Sequence, residues 1–117
     1  HLAATKITEA ARFYAKFTKV EIKGNPHYAR YLFYYFASHL RIIPKISFLI
    51  DTSKEFKKKM KAVECYRSQF IDNPKNRVVF DYLDRQNGYL GKLIGADYAE
   101  ALFSKKMFRI EDISVFA

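Results

Sequence analysis

A chain of 117 residues is long enough for one domain with a modest core. Half of its residues are hydrophobic and 17% are aromatic, which excludes a disordered chain. Its longest apolar runs, YLFYYFA at 31–37 and FLI at 48–50, are too short to cross a bilayer. The formal charge of +9 is spread along the chain, so it admits a nucleic-acid or anionic partner without demanding one.

Residues 2–18 carry Ile7, Ala10, Ala11, Tyr14 and Phe17 at helical spacing, which predicts a helix with that face buried. Lys6, Glu9, Arg12 and Lys16 fall on its opposite, solvent side. The GNP at 24–26 predicts a turn. The aromatic run ARYLFYYFA at 29–37 then reads as a strand, and Pro44 marks a further turn. ISFLIDTS at 46–53 reads as a second strand, with Asp51, Thr52 and Ser53 as candidate caps for the next helix.

That helix is expected over 53–70, with Phe56, Met60, Val63, Tyr66 and Phe70 as its apolar stripe. Lys54, Lys57, Lys58 and Lys61 then make its solvated face. DNPKN at 72–76 is a loop by its turn residues. A third helix is expected over 77–94, although Gly88 and Gly91 weaken it. Residues 97–113 mix a short turn or helix with a final strand.

Two features point beyond a self-contained domain. The candidate strands are apolar on both faces, as in a larger α/β sheet. The first helix also starts with neither a visible cap nor a preceding strand. Both suit the C-terminal portion of a βα-alternating fold, a single partial domain over 1–117.

Chemistry-bearing patterns are sparse. Cys65 is the single cysteine; it makes neither an internal disulfide nor a zinc site alone, and a reducing, cytoplasmic setting follows. The histidines are His1, His27 and His39, with no pair at metal-ligand spacing. There is no phosphate loop and no nucleophile elbow. The run YLFYYF offers aromatic faces for bases, but the basic-glycine-aromatic signature of such RNA binders is missing, and core packing is the expectation.

Three stretches, in order, carry a resemblance: HLAATKITEAARFYA, FLIDTSKEFKKKMKAVECYRSQF and IGADYAEALFSKKMFRIEDI. Together they resemble the C-terminal half of the LmbE-like, or PIG-L, zinc-dependent N-acetylglucosaminyl deacetylases, nearest to the bacillithiol-pathway members. The resemblance implies a Rossmann-like α/β fold with flanking helices whose N-terminal half is absent from this sequence. It implies a zinc cofactor held by a histidine and an aspartate of an N-terminal His-Pro-Asp-Asp motif and by a later histidine, directly before a helix. His1 matches that later histidine.

By the same resemblance, a basic residue after a Pro-His pair lines the sugar pocket. Here Tyr28 stands at that position after Pro26-His27, and Arg30 follows two residues on, so both are assigned to substrate binding. The His-Pro-Asp-Asp motif is absent, and with it two zinc ligands and the carboxylate base. No catalytic residue is therefore assigned, and this polypeptide alone is expected to be inactive. The expected partners are an N-acetylated sugar or glycolipid, the missing N-terminal half and further copies in a trimer or hexamer. No membrane span is expected. A basic nucleic-acid-binding domain is the alternative, tested by the salt dependence of binding.

Overall fold

The first periodic segment folds into helix α1, Leu2–Tyr14, in a computed structural model that describes residues 1–21, 23–36 and 45–116. The chain divides into two compact units, His1–Leu32 and Phe33–Ala117. In the first, alanines at 3, 4, 10 and 11 favour the helix. Thr5 and Thr8 bond back to the carbonyls of His1 and Ala4, at 3.2 and 2.9 Å. The chain then turns at Gly24, whose φ of +115° suits glycine. The His27 N–H donates to the Ala15 carbonyl at 2.8 Å and fixes the return.

The face of α1 is a correction to the sequence reading. Ile7, Ala10, Ala11 and Tyr14 are exposed and Phe17 is half-buried, whereas Glu9 and Arg12 are the half-buried positions within the helix. The cause is local: the returning segment offers backbone carbonyls to the helix, and carbonyls take a guanidinium rather than an isoleucine.

The second unit carries strands β1 (Tyr34–Tyr35), β2 (Phe48–Asp51) and β3 (Ala99–Phe103) in the order β1-β3-β2. Both pairings are antiparallel, with Tyr35 and Phe48 opposite Leu102, and Asp51 opposite Ala99. Helices α2 (Phe56–Glu64) and α3 (Val78–Lys92) connect β2 to β3. The expected α/β class holds, but the three described strands pair only antiparallel. No helix of the described residues is long and apolar enough to cross a membrane.

The core joins Leu90 of α3 to Ala99 and Ala101 of β3, with Phe36, Ile46 and Leu49 packed around them. Small residues let α3 approach closely. A Cβ on Gly91 would stand 2.7 Å from the backbone of Asp97 and Tyr98. The glycine that weakens the helix in sequence is thus required by the crossing. Along α3, Leu83, Asn87, Leu90 and Gly91 are buried, while Tyr82, Tyr89 and Leu93 are exposed. Asn87 is satisfied inside: its amide donates to the Leu83 carbonyl at 2.7 Å and its oxygen accepts from Lys59 Nζ at 3.2 Å. Lys59 also pairs with Glu100 at 2.6 Å. A second apolar cluster gathers Phe33, Phe48 and Phe108, with ring centroids 5.4–5.7 Å apart.

Three further expectations shift. The aromatic run forms only the two-residue β1 among the described residues; His39 and Pro44 lie outside them. The helix expected to reach residue 70 stops at Glu64, because bonds tighten to i→i−3 at Cys65 and Tyr66 and Tyr66 takes ψ +57°. A π-helical turn, Arg67–Ile71, follows and leaves Tyr66 exposed. Asp51, Thr52 and Ser53 do not cap α2, since a turn intervenes and Glu55 holds the cap position. The last segment forms the expected final strand as β3, with a bend before it and a 3₁₀ turn at Ile113–Phe116 behind it.

Candidate functional site

The three residues assigned from sequence all lie in the first unit. His1 is the N-cap residue of α1. Its carbonyl accepts from the Thr5 N–H at 3.0 Å and the Thr5 hydroxyl at 3.2 Å, while its exposed side chain makes no capping bond. An imidazole not spent on the cap has the donor chemistry that zinc takes. Among the described residues no three His, Cys, Asp or Glu side chains gather as a metal-holding group. His1 therefore fits zinc as one ligand of a set, not as a site.

Tyr28 and Arg30 are brought together by a residue that sequence reasoning placed in solvent. From α1, Arg12 donates through Nε to the Ala29 carbonyl at 2.8 Å. Its Nη2 donates to the Tyr28 hydroxyl at 2.9 Å and to the Arg30 carbonyl at 3.1 Å. The guanidinium carbon also lies 4.5 Å from the Tyr28 ring centroid, within cation–π range. The ammonium of Lys16 stands 5.6 Å from the same ring. The Arg30 guanidinium turns over Tyr31, 5.7 Å from its centroid. The segment 28–30 is thereby tied to the helix that starts at His1. An arginine in an alanine-rich helix gives no sequence signal of which carbonyls it will reach.

The second unit holds a polar cluster at the end of β2. The Ser53 hydroxyl donates to Asp51 Oδ1 at 2.6 Å and accepts from the Asp97 and Tyr98 N–H groups at 3.2 and 3.1 Å. The Ser53 hydroxyl and N–H, with some help from Lys54, hold the Asp51 carboxyl below its ordinary pKa. The Tyr98 hydroxyl donates to Asp84 Oδ1 at 3.0 Å, and that bond pushes the phenol above its ordinary value. These contacts splice β2, the turn before α2, and α3 to the start of β3. Lys54, Lys57, Lys58 and Lys61 are all exposed, as expected of a solvated face. Cys65 is exposed too, its thiol 3.4 Å from the Lys61 carbonyl.

No family model matches the chain. Among solved structures, it is similar to that of the conserved protein TT1542 from Thermus thermophilus. The superposition has a TM-score of 0.79 at 30% sequence identity and covers 95% of this chain and 48% of TT1542. The chain thus spans about half the length of that protein.

Proposed function

We propose that this chain is part of a zinc-dependent hydrolase that removes the N-acetyl group from an N-acetylglucosamine-containing small molecule or glycolipid. The observation that carries the reading is His1 at the start of α1, its imidazole outside the cap, matching the histidine-then-helix arrangement of the deacetylases it resembles. Similarity over about half of TT1542 supports reading these residues as one portion of a longer protein.

His1 supplies one imidazole to the metal, and Tyr28 and Arg30 contact the sugar. Zinc, when bound, supplies Lewis-acid polarisation of the acetamide and a more acidic water. The remaining ligands and the carboxylate base would come from the N-terminal His-Pro-Asp-Asp half that the resemblance implies. The residues described here therefore bind and orient, and alone they do not turn over substrate. Assembly into a trimer or hexamer and a cytoplasmic location belong to the same reading.

The test is acetate release from N-acetylglucosamine, read with zinc content, on the complete protein. About one zinc per complete unit and acetate release, both lost in His1→Ala, are expected. Undiminished zinc and acetate release in that variant would remove His1 from the site, and a complete protein that releases no acetate would end the reading.

The net charge of +9 with interleaved aromatics motivates a second reading, a basic nucleic-acid-binding domain. It expects affinity for duplex DNA that falls steeply with salt and weakens in a Lys57→Glu, Lys58→Glu, Lys61→Glu variant. No binding at low salt would exclude it.

A further inference from the structure

Arg12 spends its fork of donors on one short segment. It makes three hydrogen bonds to residues 28–30, two of them to main-chain carbonyls, and lies against the Tyr28 ring. Bonds from a charged guanidinium are stronger than neutral ones, and its planar geometry fixes direction as well as distance. The same segment carries no helix or strand of its own. The His27 N–H to Ala15 bond anchors its start. A segment of that kind is ordered by whatever side chain satisfies its carbonyls.

We infer that Arg12 is a positioning residue that holds Tyr28 and Arg30 in one arrangement for substrate; this rests on the function proposed above. Arg12 does not itself touch the sugar. It orders the segment before substrate arrives, so that binding does not have to. A lysine in its place is a single point of charge. It reaches one carbonyl and leaves the other and the phenol without a partner.

The experiment compares Arg12→Ala and Arg12→Lys with the unsubstituted complete protein by hydrogen exchange and by steady-state kinetics on N-acetylglucosamine. Faster exchange confined to amides 27–31 is expected in both variants. So is a KM raised by about tenfold with kcat held within about twofold. Added methylguanidinium should restore both in Arg12→Ala, which a general loss of folding would not allow.

Unchanged exchange at 27–31 overturns the positioning role outright. Faster exchange with KM unchanged keeps Arg12 as a structural tie and overturns its link to substrate. A complete protein without deacetylase activity overturns the proposed function and that link together, while the exchange result still decides the tie.

Discussion

Phe56 and Tyr98 stack face to face, with ring centroids 3.7 Å apart and planes 8° from parallel. The pair joins the first residue of α2 to the residue before β3, and the Tyr98 hydroxyl extends the join to α3 through Asp84. Phe56 is one of the few buried large side chains, so its removal leaves a cavity where two helices meet a strand. Phe56→Ala is expected to lower stability by about 3–5 kcal/mol, and Phe56→Leu by less, measured by urea denaturation.

Gly88 and Gly91 should respond oppositely to alanine. At Gly91 the added carbon would stand 2.7 Å from main-chain atoms of Asp97 and Tyr98, which cannot turn aside as a side chain can. Gly91→Ala is therefore expected to destabilise by about 1–3 kcal/mol. At Gly88 the nearest atom is a Tyr98 ring carbon at 3.9 Å, an ordinary contact. Helix propensity then decides, and Gly88→Ala is expected to stabilise by about 0.5–1 kcal/mol. Paired thermal and urea denaturation would check both.

Acid sensitivity should carry a contribution from Asp51. Its carboxyl is held below the ordinary value, chiefly by the Ser53 hydroxyl and N–H. A depressed carboxylate favours the fold above its unfolded-state pKa, and that contribution is lost as pH falls through the folded-state value. Ser53→Ala removes the larger cause. The Asp51 resonance should then titrate nearer the ordinary carboxylate range in carbon-detected NMR, and this part of the acid response should diminish.

At alkaline pH the sign reverses at Tyr98. Its bond to Asp84 raises the phenol pKa, so the contribution is complete below the unfolded-state value and is lost as pH rises through the folded-state one. In a spectrophotometric titration Tyr98 should ionise above an ordinary tyrosine. Asp84→Asn, which removes the charge while keeping an acceptor, should bring it down.

What local pattern controls was legible before folding. The continuous apolar run FLI before Asp51, helical spacing around Leu83 and Leu90, and the alanine-rich start all formed the elements they announce. The aromatic run around Tyr34 and the end of α2 were settled differently, by pairing with β3 and by the break at Tyr66. Within the candidate site, the family resemblance, not the pattern of the chain itself, pointed to His1, Tyr28 and Arg30. Only tertiary structure decided that Arg12 ties the last two to the helix that His1 begins. The same holds for Gly91, which reads as a helix defect until the main chain at Asp97 crosses it. Periodicity reports which face of an element is apolar. It does not report which backbone comes to lie against that face, and there the carbonyls of Ala29 and Arg30 outweighed the apolar stripe of α1.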